Sequence, residues 1–218
     1  MFRNTTGCWR VRIRSTAAAV LIGTAGFGLA GGIAYADPAG DPDTSATWWD
    51  QQSADDCVMM SVADVVGELT GNKPSEEEII TLAKSTPSGS DGAPIYTPGQ
   101  GADDKDEPIL FAHYGIHAVF TDDASVSSSG VPTGLSALEQ NLAAGNGVTV
   151  AVNSETIWDQ DGDHTGGDHV VVVTGVDKDA GIVHLNDSGS DEGADERVTI
   201  DTFEKAWATT GHAMVVAY

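Results

Sequence analysis

The chain has 218 residues, 33 of them Asp or Glu and only 10 Lys or Arg, for a formal net charge of −23. The first 36 residues hold four of the arginines and no acid, so the remaining 182 residues carry −27. Such a field repels phosphate backbones and anionic head groups, which argues against nucleic acid and membrane surfaces as partners and favours cationic ones.

In chain order, Arg3, Arg10, Arg12 and Arg14 precede an uncharged run of small and apolar residues from Ala17 to Gly32, and Ala34-Tyr35-Ala36 supplies a small-x-small cleavage site. This is the pattern of a secretory signal peptide over residues 1–36, with an extracytoplasmic mature protein starting at Asp37 and no membrane association once the signal is cut. Cys8 leaves with the signal, so Cys57 is then the single cysteine and has no internal partner for a disulfide. An unpaired thiol in an exported protein is either a reactive nucleophile or an inert buried side chain.

Residues 37–47, rich in Asp, Pro, Gly and Ser, are expected to form a disordered lead-in. Residues 48–218 are long enough for one domain with a core of its own. Val58, Met59, Val62, Val65, Val66 and Leu69 recur at helical spacing and end at Gly71-Asn72, which places Cys57 in the first turn of a helix. Ser75 caps a second helix that runs through Lys84 with Glu76, Glu77 and Glu78 in its first turn. Pro87 to Glu107 reads as a long Gly/Pro/Asp loop, of a length that is usually functional or mobile.

A short helix from Ile109 to Tyr114, a strand from Ile116 to Phe120, a helix from Leu135 to Ala144 and a strand from Val148 to Val152 follow. Val170 to Val176 and Ile182 to Leu185 read as an antiparallel hairpin turning over Asp177–Gly181. A short strand at Val198–Ile200, a helical turn or two over Thr202–Ala208 and a closing strand at Ala213–Tyr218 complete the chain. Helices first and an antiparallel sheet second define an α+β fold.

The helix dipole and the free N–H groups at a helix start stabilise a thiolate at Cys57. A thiol nucleophile also needs an imidazole to share its proton and a third group to hold that imidazole. His169 heads one strand of the proposed hairpin and Asn186-Asp187 close the other, so either side chain could orient the ring. Gln51 or Gln52, just upstream of Cys57, could complete an oxyanion hole with the Cys57 N–H. The remaining histidines have no metal-ligand spacing. Asp159-Gln160-Asp161-Gly162-Asp163 lacks the alternation and terminal Glu of a calcium loop and reads as an acidic turn leading to His169. No cofactor or metal site is expected.

Gln-x5-Cys at a helix start, a Gly-rich turn with His before a valine run, and a hairpin ending in Asn-Asp together resemble a papain-like cysteine peptidase. Within that clan the chain is most similar to the bacteriocin-processing, double-glycine leader peptidases, over about Trp48 to Tyr218. The resemblance implies a papain-like fold in which a catalytic helix packs on a small twisted antiparallel sheet. It also implies cleavage of peptide or protein substrates, with Cys57 as nucleophile, His169 as general base and acid, Asp187 as the orienting group and Gln51 as oxyanion donor. Two features depart from the family: Val58 stands where glycine usually follows the nucleophile, and Asp55, Asp56 and Asp168 flank the dyad, where their charge opposes a thiolate. A transglutaminase-like acyl transferase and an inactive acidic binding module of the same fold are the rival readings.

The export reading has a direct check. Secreted protein is expected to begin at Asp37 by intact-mass spectrometry, and material that retains Met1 or Arg3 would revive a membrane anchor.

Overall fold

A computed structural model describes residues 38–218; the segment read as a signal peptide, Cys8 and the expected cleavage site lie outside the described residues. The described part of the lead-in expected to be disordered, residues 38–47, is built into the fold. Ala39–Gly40 forms strand β1, Pro42–Ser45 helix α1 and Ala46–Trp48 a 3-10 turn. Composition pointed the wrong way because the same polar residues make a good helix start. Asp41 accepts from the Thr44 N–H at 3.2 Å and Pro42 supplies a preset φ at the first helical position.

Helix α2 spans Cys57–Thr70 and is buried on nearly all sides from Cys57 to Gly67, as expected of a central helix. Helix α3, Glu76–Ser85, starts with a reciprocal capping box between Ser75 and Glu78. Then come α4 (Glu107–His113), β2 (Ala118–Thr121), α5 (Val126–Ser129), α6 (Leu135–Ala143), β3 (Gly147–Val152) and α7 (Ser154–Ile157). The chain closes with β4 (His169–Asp177), β5 (Ile182–Asn186), β6 (Glu196–Thr199), α8 (Ile200–Ala208) and β7 (Met214–Ala217). Four-residue α5 and α7 carry too little periodicity to be foreseen.

The strands form one antiparallel sheet in the order β2-β7-β3-β4-β5-β6, with β1 on the far half of β4. Both of its faces are covered. One packs under α2, α3 and α4 through Val170, Val172, Val215 and Ala217. The other packs against α6 and α8 through Val171, Val173, Met214 and Val216. This is why β4 reads as an unbroken valine run rather than an alternating one. A bulge at Thr174 separates the pairs Val173↔Leu185 and Gly175↔His184 and keeps Val176 on the same face as Val171 and Val173. Among the described residues no helix is long and apolar enough to cross a membrane.

Trp207 anchors the second layer: it is fully buried, and its indole N–H donates to the Ala213 carbonyl at 2.8 Å. Trp207→Ala is expected to cost about 3–5 kcal/mol in chemical denaturation. It lies on the face of the sheet opposite α2, so Cys57 should stay as reactive in the folded variant as in the parent.

Candidate active site

Cys57 is the first residue of α2 and is only 8% exposed; it opens into a cavity of ≈ 360 Å³ that His169 also lines. His169 is the first residue of β4, where pairing with Val152 of β3 fixes its position. Its Nε2 lies 2.6 Å from Asp187 Oδ1, both side chains are sealed from solvent, and the ring is also within hydrogen-bonding reach of Cys57. Contact with an ionised carboxylate places the proton on Nε2, which leaves Nδ1 for the thiol. The structure thus brings Cys57, His169 and Asp187 together.

Asp187 sits one residue beyond β5, where the chain folds back on itself. Its N–H donates to the Gly193 carbonyl at 2.9 Å, and the Gly189 N–H donates to Oδ1 at 2.7 Å. The indole N–H of Trp158 donates to Oδ2 at 2.9 Å and that of Trp49 to the main-chain carbonyl at 2.7 Å. Two glycines make this turn feasible. A Cβ at Gly193 would lie 1.8 Å from the Asp187 carbonyl oxygen, and one at Gly189 would lie 2.9 Å from Trp158 and 3.0 Å from His169. Trp49, Trp158, Gly189 and Gly193 were not foreseen as site residues. The close run of glycines after Asp187 was their signal.

Burial alone would favour neutral forms of both partners. For Asp187 it is outweighed by the facing His169 and by hydrogen bonds from His169, Trp158 and Gly189, which hold its carboxyl below the usual range. For His169 the burial penalty is outweighed by Asp187 and then by Cys57, so the imidazole is held well above its ordinary value. The charged pair therefore persists as pH rises past the ordinary histidine range and as it falls below the ordinary aspartate one.

Asn186, the other candidate partner for His169, turns away. Its Nδ2 donates to the Ser45 carbonyl at 2.8 Å and to Asp64 Oδ2 at 2.9 Å. Gln51 is not brought to the dyad either. It is half-buried, its amide donates to Asp191 Oδ1 at 2.6 Å, and it is absent from the lining of the Cys57 cavity. The glutamine held inside is Gln52, 2% exposed and likewise outside the cavity lining, with its backbone N–H on the Ser188 carbonyl at 2.9 Å, its Oε1 accepting from Ser188 Oγ at 2.8 Å and its Nε2 donating to the Ala54 carbonyl at 2.7 Å. Neighbouring residues of an extended segment point to opposite sides, and the bonds to Ser188 decide which one faces in.

Each flanking acid has its own structural role. Asp55 spends both oxygens on the long loop, accepting from Tyr96 Oη at 2.7 Å and the Gly101 N–H at 2.9 Å. Burial opposes its ionisation, but those bonds prevail and keep the carboxyl below its usual range. Asp168 accepts from the Ser154 N–H and Oγ, each at 2.8 Å. Asp56, fully buried, is pushed up to about 7, first by burial and then by its hydrogen bond and repulsion with Glu76, so near neutrality much of it is uncharged. Val58 is buried and forms part of the cavity wall. The 159–163 turn is tied to Asn153, whose Nδ2 donates to the Asp163 and Gly166 carbonyls at 2.7 and 2.8 Å. Among the described residues no three His, Cys, Asp or Glu side chains gather as a metal site would need.

This fold and this constellation define a papain-like cysteine-peptidase architecture. A family model described as the Peptidase_C39-like family matches residues 43–215. The chain belongs to that family. It is 46% identical over 219 aligned residues to proteins of Mycobacterium tuberculosis and Mycobacterium bovis that are named only as uncharacterized, covering 88% of this chain and 94% of theirs. A crystal structure described as a C39-like peptidase from Bacillus anthracis superposes with a TM-score of 0.54 at 20% identity, over 78% of this chain and 93% of the other. A double-glycine motif protease of an AMS/PCAT transporter, solved with its leader peptide, gives 0.46 at 14% identity over 77% and 88%.

The geometry predicts how the ring titrates. By NMR the His169 imidazole should stay protonated well above pH 6.5, whereas in Asp187→Ala only Cys57 is left to oppose burial and the ring's pKa should fall. Asn186→Ala should leave the titration in place and lower the melting temperature, because it severs the links to Ser45 and Asp64.

Proposed function

We propose that this protein is an exported cysteine peptidase that cuts peptide bonds through Cys57, His169 and Asp187. The observation that carries the reading is the buried 2.6 Å contact between His169 Nε2 and Asp187, with Cys57 at the other edge of the ring and facing the same cavity. The C39-like family and the papain-like fold support it.

The chemistry follows from that arrangement. Near neutrality the Cys57 proton rests on His169 Nδ1, and that imidazolium is stabilised by Asp187. The thiolate adds to the substrate carbonyl, and the oxyanion meets the Cys57 N–H at the helix start. Gln52, the inward glutamine, replaces Gln51 as the side-chain donor. Collapse of the adduct breaks the C–N bond, His169 gives its proton to the departing amine, and a thioester remains on Cys57. Water then adds to the thioester as His169 takes its proton. The acid is released, and the thiolate–imidazolium pair is restored. The main obstacle to this chemistry is charge near the thiol; partial protonation of Asp56 lessens it, and local bonds fix where the carboxylates of Asp55 and Asp168 lie.

Alkylation by iodoacetamide tests the reading. A free thiol of pKa about 8.5 is on the order of 0.3% thiolate at pH 6 and barely reacts. Folded protein is expected to react readily there, and His169→Ala at least tenfold more slowly. In a peptidase assay Gln52→Ala should cost about 10²-fold in turnover and Gln51→Ala little. Alkylation that begins only on unfolding would mean an inert buried cysteine and end the proposal.

A further inference from the structure

The cavity that holds the Cys57–His169 pair has strongly charged walls. Asp55, Asp103, Asp104, Asp122 and Asp168 line it, against the single ammonium of Lys105. Lys105 is itself drawn over the Phe120 ring, its Nζ 5.4 Å from the centroid. Neutral donors hold Asp55 and Asp168, and such bonds orient a carboxylate without cancelling its charge. Asp122 accepts from the Ser125 N–H at 2.6 Å and is kept below the usual range by hydrogen bonding to Ser125. Asp103 uses one oxygen on the Lys105 N–H at 3.1 Å.

Two independent observations therefore meet in one concave space: a nucleophile and its base, which act only on a substrate lying against them, and walls of one sign. A cleft of one sign with low-dielectric sides focuses the field and concentrates the opposite charge. The two acids whose side-chain oxygens are both held, Asp55 and Asp168, set the background, and the other three face an incoming group.

Resting on the reading of Cys57 as a nucleophile, we propose that the cleft binds peptides with a basic side chain next to the bond to be cut, selected by Asp103, Asp104 and Asp122. Asp104 fits this role closely. Burial, then its hydrogen bond and repulsion with Asp103, push it up to about 7, so an arriving ammonium or guanidinium would relieve a strained pair of acids. Acidic peptides are excluded by the same walls.

Protection of Cys57 tests the proposal without a known substrate. Native protein is alkylated with neutral iodoacetamide in the presence of tetralysine, tetra-alanine or tetraglutamate. Tetralysine is expected to halve the rate at a concentration at least tenfold lower than tetra-alanine, and tetraglutamate to give no protection. Protection by tetralysine should weaken in 1 M NaCl and be lost in Asp103→Asn/Asp104→Asn/Asp122→Asn. The single variant Asp104→Asn should show a partial loss if the triple variant does not fold. Equal protection by all three peptides overturns the proposal. So does tetralysine protection that survives in the folded variants, because the cation would then be held elsewhere on the acidic surface. No alkylation of native protein under any condition would instead remove the nucleophile, and the peptidase reading with it.

Discussion

Everything around the site is arranged so that one ion pair can exist out of water. An aspartate with no solvent access is tenable only if its charge is met from within, and Asp187 is met by His169, the Gly189 N–H and the Trp158 indole. Those donors come from β4, from the turn after β5 and from the turn after α7, and Trp49 reaches the same residue from the N-terminal side. The pair therefore ties together segments far apart in sequence. The close-packed glycines of the turn and the inward Gln52 follow from that demand, because any bulkier wall would push donors away from the carboxylate.

The same economy governs the acids beside the thiol. A chain of net charge −23 cannot keep carboxylates away from Cys57. Instead it makes Asp55 and Asp168 into structural fasteners, one for the Tyr96–Gly101 loop and one for the start of α7, and buries Asp56 against Glu76 so that it titrates near neutrality. Judged by proximity alone the acids look prohibitive. Judged by their partners, two serve as scaffold and one is only partly charged near neutral pH.

What was legible in the sequence was whatever is locally coded. The heptad-like apolar spacing of α2, the Ser75–Glu78 capping box and the valine run of β4 each specify their element without help from the rest of the chain. The order Cys57, His169, Asp187 was also readable, and hairpin geometry put the latter two near one open end. What escaped depends on tertiary partners. Two adjacent glutamines are equivalent until Ser188 selects one, and family spacing chose the outward residue. Residues 38–47 look unstructured until β4 offers β1 an edge. The tryptophans over Asp187 look like ordinary core residues until their N–H groups find it.

The bulge at Thr174 divides β4 into two stretches with separate obligations. Residues 169–173 take their register from β3, whereas 175–177 take theirs from β1 and the turn into β5. Because the ladder on β5 runs on without a gap from Val173↔Leu185 to Gly175↔His184, Thr174 is the one residue without a partner there, and its loss would straighten the strand and leave Val176 facing the second core. The stretch that begins with His169 would keep its pairing. One residue of length can thus be given up at the bulge, beside the N-terminal elements, while the end that carries His169 stays in register.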